Sequence, residues 1–245
     1  MKLFEFAWCR EYPDRLAALA ELSPEKWSFG DGSDNAILRN YIDHTYGKLR
    51  EEGKIVETER YAIFNTGLFT PAWKEIYAFL VPNPVPGKQR YQLDGFYPAF
   101  RLASQGIAEF PPRADYFSDP SALVFDAKCD IFPQYDHIFS PLNLCRIPIG
   151  LRGDPQLTER FDTALRSARA RIHANYKTAV PQYYRGRIQL LIPVCLLRDG
   201  SPDLALVVCK NEAGTQYIGY TCLTLEMAYN NARLIARPDS EWLRP

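Results

Sequence analysis

With 245 residues, 47% of them hydrophobic and 24% charged, the chain has the make-up of a folded globule, which excludes a disordered tail and a fibrous repeat. Twenty-nine basic residues balance twenty-nine acids, so bulk attraction to nucleic acid is excluded and only a local patch remains open. No apolar run approaches the roughly 18 residues of a membrane span, and Glu5 interrupts any N-terminal leader. The expectation is a cytoplasmic protein with no membrane partner.

Pro13 suits the first turn of a short helix over 13–22. A second helix is expected to open at Ser33 or Asp34, to carry Ile37, Leu38, Tyr41, Ile42 and Leu49 at helical spacing, and to stop at Gly53. Beyond residue 59 the periodicity predicts strands at 61–65, 75–81, 91–96 and 123–125, separated by proline-rich connections at 81–87 and 110–112. A helix over 155–173 follows, then strand-like runs at 188–197, 204–209 and 217–222, and a last helix near 223–236. Short links favour an antiparallel meander, because a parallel pair needs a long crossover. The predicted class is α+β, an antiparallel β-meander with flanking helices. It is expected to be a single domain over 1–245, with a helical portion to about 55 and a mixed β/α body beyond it. No sequence repeat is visible.

The six cysteines form no C-x-x-C pair, and the three histidines lie far apart in sequence. They read as reduced core thiols and isolated imidazoles, with no metal and no cofactor expected.

Charge is segregated along the chain. Residues 150–190 hold eight basic residues against three acids, a net +5. In the helix within this segment Leu157, Phe161, Ala164, Ala168 and Ile172 share one face, and Arg166, Arg169 and His173 form a cationic ridge almost opposite. Such a ridge suits phosphates, or else it is a solvated surface with its arginines paired to acids. The following segment, residues 175–187, places Lys177, Tyr183, Tyr184 and Arg185 close together. Rings that stack on bases alternate there with cations that hold phosphates. Adjacent strand tyrosines point to opposite faces, so at most one of Tyr183 and Tyr184 joins a one-sided core.

In the last helix Leu223, Met227 and Leu234 are expected to mark the apolar face, with Asn230 between them, Asn231 at its edge and Arg233 beyond. Amides in that position need hydrogen-bond partners, supplied by loop carbonyls or by a polar ligand. Asn65-Thr66-Gly67, taken as the end of a strand, reads either as a ligand-approaching backbone or as a hairpin turn. Phosphate-binding, dinucleotide-binding, serine-elbow and zinc-protease motifs are all missing. His137 and Asp136, with His173, are weak acid–base candidates, since no nucleophile or metal set accompanies them at recognisable spacing.

The segments Phe64-Asn65-Thr66-Gly67-Leu68, Asn175 through Tyr184, and Met227 through Leu234 together resemble the bacterial domain-of-unknown-function family numbered 3825, over about Trp27 to Trp242. The resemblance implies no named activity and no catalytic residue. It implies companionship with RNA-binding modules, which is analogy. The leading expectation is an RNA- or nucleotide-binding domain with a role in RNA metabolism. The alternatives are a hydrolase that processes RNA or nucleotides, and a protein-interaction module with a protein partner; the oligomeric state is left open.

Overall fold

A computed structural model describes residues 2–116 and 119–245. The chain divides into two compact units, residues 1–115 with Pro245 and residues 116–244. Each unit has its own five-stranded sheet.

In the first unit α1 (Leu3–Phe6), β1 (Ala7–Trp8), α2 (Tyr12–Leu22) and α3 (Ala36–Glu51) precede the meander β2 (Val56–Glu57), β3 (Ala62–Phe69), β4 (Glu75–Pro82) and β5 (Tyr91–Pro98); α4 (Ala99–Ala103) follows. Neither expected cap residue is the N-cap of α3, which is Asn35 with no side-chain cap bond; Asp34, one residue earlier, accepts from the Ala36 amide at 3.1 Å. Ile37, Leu38, Tyr41, Ile42, Tyr46 and Leu49 are buried along α3, and the Tyr46 ring meets Phe64 of β3 edge-on at 5.5 Å. Neighbouring Ile63 points the other way, into a small cluster with Tyr77, Leu102 and Ile107.

In the second unit β6 (Asp130–Pro133), α5 (Tyr135–Ile138) and α6 (Leu157–Ala174) precede β7 (Val180–Tyr184), β8 (Arg187–Val194), β9 (Leu204–Lys210) and β10 (Gln216–Leu223); α7 (Leu225–Arg233) follows. Leu157, Phe161, Ala164, Ala168 and Ile172 of α6 are buried as their spacing predicts, against Leu190, Ile192, Val194, Leu206 and Val208 of the sheet. Burying this layer stabilises the unit at about 25 cal/mol per Å² of apolar surface removed from water.

Both sheets have the same topology. The strand order is β1-β5-β4-β3-β2 in one and β6-β10-β9-β8-β7 in the other. In each, a short strand leads into helices and a four-stranded antiparallel meander, then pairs in parallel with the meander's last strand. The predicted meanders are present; the parallel edge pairs are additions with no local sequence signal.

Three expectations fail locally. Residues 123–125 are not a strand: Pro120–Leu123 form a 3-10 turn, started by Asp119 accepting from the Ser121 amide. The run from 188 stops at Val194, because the Asp203 carboxylate takes the amides of Leu196 and Leu197 and turns the chain. Leu223, which belongs to β10, and Leu234, at the end of α7, are buried as expected, but Met227 is 39% exposed and the buried face of the helix is Ala228, Tyr229, Ala232 and Arg233. Thr224 caps α7 by accepting from the Met227 amide, which fixes a later start and a different rotation from the one expected.

Candidate functional site

Asn65, Thr66 and Gly67 lie inside β3, not at its end, where the β3–β4 register shifts. Both polar side chains are buried and serve the fold. Thr66 Oγ1 donates to the Ile76 carbonyl at 2.6 Å, and Asn65 Oδ1 accepts from the Gly67 amide at 2.9 Å. Gly67 has φ +73°, and Tyr41 Oη, donating to the Thr66 carbonyl, stands 2.7 Å from where a Cβ would lie.

In the second unit Tyr183, Tyr184 and Arg185 form the end of the β7–β8 hairpin. Arg185 and Gly186 have φ +48° and +84°, the two positive values of a type I′ turn whose twist suits paired strands. Tyr183 is half-buried and meets Tyr116 edge-on at 4.7 Å, whereas Tyr184 is 44% exposed with the Arg185 guanidinium 5.3 Å from its ring. One tyrosine therefore packs and its neighbour presents a face to solvent, as strand alternation requires.

The motif around the hairpin meets the α7 motif through Gln182. Its Nε2 donates to Gln189 Oε1 at 2.8 Å, and its Oε1 accepts from Asn231 Nδ2 at 3.1 Å. Asn230 Oδ1 is buried with no hydrogen-bond partner among the described residues, and Arg233 is buried. The same two motifs border a small, mainly apolar cleft of about 190 Å³ beside Val180, Ala232 and Ile235. Lys177 stands there, paired with Asp239 at 2.6 Å, which raises its own pKa and lowers that of the carboxyl.

The basic helix separates into paired and unpaired cations. Arg169 binds Asp130 at 2.6 Å and Arg160 binds Asp154 at 2.7 Å, whereas Arg166 donates to the Thr163 hydroxyl. The Gln156 amide, together with Arg160, holds the Asp154 carboxyl below its ordinary range. Arg171, which the ridge pattern passes over, donates to Cys195 Sγ at 3.6 Å. Arg166, Arg171, Arg185, Arg187 and Arg198 have no carboxylate partner among the described residues.

Arg160 and Arg171 help to line a larger, more polar cleft of about 600 Å³ between α6 and the chain leaving β8, where Arg198 also stands. That volume is in the range of small-molecule sites. Burial pushes the Cys195 thiol in this cleft up, against the pull of Arg171, so it stays protonated at neutral pH and is a poor nucleophile. Arg169 and Tyr184 line neither cleft.

The acid–base candidates do not assemble. His137 Nδ1 donates to the Tyr220 carbonyl at 2.6 Å, and Asp136 and His173 are exposed. No hydrogen bond joins the three to one another among the described residues. Nor do three His, Cys, Asp or Glu side chains gather there as a metal set, and no described helix is long and apolar enough to cross a membrane.

The fold and clefts define an α+β protein whose basic segment, residues 150–190, lies in its second sheet unit. The chain belongs to the family described as Domain of unknown function (DUF3825), whose model matches residues 16–242 and so begins somewhat earlier than the motif likeness from Trp27. No curated protein and no solved structure matches the chain.

Proposed function

We propose that the chain is an RNA- or nucleotide-binding protein with a role in RNA metabolism, acting through residues 116–244. The observation that carries this reading is the set of arginines there without carboxylate partners, one of which, Arg185, stands beside the exposed Tyr184 ring at the hairpin end. Cations without protein counter-charges gain most from phosphates, and an exposed ring offers a stacking platform to any base. The neutral overall charge fits a local contact in preference to a general polyanion sink. The likeness of this family to companions of RNA-binding modules in bacteria supports the same reading by analogy. A cytoplasmic location belongs to the proposal, since RNA and free nucleotides are held there.

Filter binding of the full chain to labelled single-stranded RNA across a salt series tests it. The expected result is a steep negative salt slope, and a Tyr184→Ala affinity at least about fivefold weaker, the low end of base stacking on an aromatic ring. No retained RNA at any salt concentration overturns the reading.

A further inference from the structure

The polar flank of α6 has a regular pattern. Gln156, Arg160, Thr163, Ser167 and Arg171 follow one another at steps of four, three, four and four, which keeps them in one row along the helix. This row is one wall of the 600 Å³ cleft; the other is the end of β8 and its turn, with Cys195, Leu197 and Arg198.

Arg160 and Arg171 are eleven residues apart, three helical turns, so their Cα atoms lie about 16 Å from each other. Their head groups are held apart as well. Arg160 Nε is fixed to Asp154, which precedes the helix, and Arg171 is drawn to Cys195 at the opposite end. They are two separate points, not a clamp on one phosphate: Arg171 has no carboxylate partner among the described residues, and Arg160 gives its Nε to Asp154, so a phosphate there would meet its other nitrogens. Between them stand the neutral hydroxyls of Thr163 and Ser167, and across the cleft Leu197 exposes 58% of its surface. Glu159 and Asp199 also line the cleft. They disfavour an unbroken file of phosphates there and accept hydrogen bonds from hydroxyl donors. A ligand that matches this row has an anion at each end and hydroxyl-bearing, partly apolar groups between. Ribose carries a 2′-hydroxyl that deoxyribose lacks, and it is the group by which a protein tells RNA from DNA.

We propose that this groove seats a short segment of single-stranded RNA lengthwise along α6, with separate phosphates at Arg160 and Arg171 and the intervening sugars against Thr163, Ser167 and the two acids. The proposal rests on the RNA-binding reading above and deepens it, because it selects an oligonucleotide over a mononucleotide and RNA over DNA.

The test is fluorescence anisotropy of the full chain with an end-labelled short single-stranded RNA, its DNA counterpart, and AMP as competitor, over a salt series. Arg171→Gln and the double variant Arg160→Gln/Arg171→Gln are compared with the parent, each checked for an unchanged circular dichroism spectrum and melting profile. The double variant is expected to bind RNA at least tenfold more weakly, and its log K against log salt slope is expected to flatten by about 1.4, two single-strand phosphate contacts. Arg171→Gln, which leaves the Arg160–Asp154 pair intact, is expected to show about half that flattening. RNA is expected to bind more tightly than DNA, and AMP to compete poorly. Parental affinity and slope in a folded double variant overturn the groove as the seat while RNA binding itself stands. Equal binding of RNA and DNA, or AMP competing as well as unlabelled RNA, overturns the ligand assignment. A parent chain that binds no RNA at any salt overturns the underlying reading, and the groove proposal with it.

Discussion

Gln182 and Asn231, forty-nine residues apart, are joined by a 3.1 Å hydrogen bond that ties α7 to the sheet. Gln182 is 1% exposed and also donates to Gln189, so each of its two amide atoms has a partner. Asn231→Ala removes the donor and strands a buried carbonyl oxygen. The expected cost is about 1–3 kcal/mol, read as a lower midpoint in urea with an unchanged m-value. Replacing Gln182 and Gln189 by leucine in the Asn231→Ala background removes the unmet groups with their partners and should recover part of that cost. An Asn231→Ala midpoint equal to the parent's would show that the relay has no structural weight.

Such a relay was only half legible in the sequence. The need of the Asn230-Asn231 pair for partners follows from desolvation, but the partner's identity depends on how α7 lands on β7. A nine-residue helix contains too few turns for its apolar period to fix its rotation, which is why Met227 reads as core and Arg233 as surface when the reverse holds. In the eighteen-residue α6 the same reasoning succeeds, with every expected apolar position buried. Even there the sequence could not distinguish Arg169, neutralised by Asp130 from β6, from Arg171, which meets only a thiol. The parallel pairs β1–β5 and β6–β10 were invisible for a related reason: a strand of two or four residues has no period, and its partner comes much later in the chain. A turn can signal itself locally. The acceptor of a long-range hydrogen bond cannot.

The bulge at Gly67 gives a paired test of backbone strain and steric contact. Gly67 and Gly53 have similar left-handed φ values, +73° and +66°, but only at Gly67 would a Cβ meet a buried atom, Tyr41 Oη at 2.7 Å. Gly53→Ala is expected to cost about 1–2 kcal/mol for the left-handed backbone alone. Gly67→Ala adds displacement of the Tyr41 hydroxyl from the Thr66 carbonyl, so its melting temperature should fall further. Equal melting temperatures for the two variants would contradict the contact.

At the hairpin end, stability and ligand binding are expected to move in opposite directions. Arg185 has φ +48°, a conformation that costs a residue with a Cβ about 1–2 kcal/mol and glycine almost nothing. Arg185→Gly should therefore raise the unfolding midpoint slightly, even though it increases the freedom of the unfolded chain. It also removes the guanidinium beside the exposed Tyr184 ring, so RNA affinity should drop. A variant that gains stability and keeps full RNA affinity would separate Arg185 from the binding surface.

The acid response of the first unit should carry the signature of Asp43. Burial raises its carboxyl above the ordinary range, against the opposing pulls of Arg39 and Lys2, and its Oδ1 is buried without a hydrogen-bond partner among the described residues. Tyr12 and Cys9 face the same carboxylate, and both are pushed up by burial first and by its charge second, Cys9 to about 12. Between the unfolded value near 3.9 and the raised folded value, the native state holds the extra proton. Stability from this group is therefore fully present below the unfolded value and is lost as pH rises through the folded one. Asp43→Asn, neutral at every pH, should melt higher than the parent at pH 7, and the gap should close as the pH falls below about 4. Thermal melts of the two chains from pH 3 to 8 check this; a gap of constant size, or one that widens in acid, would assign the carboxylate a partner in the folded state.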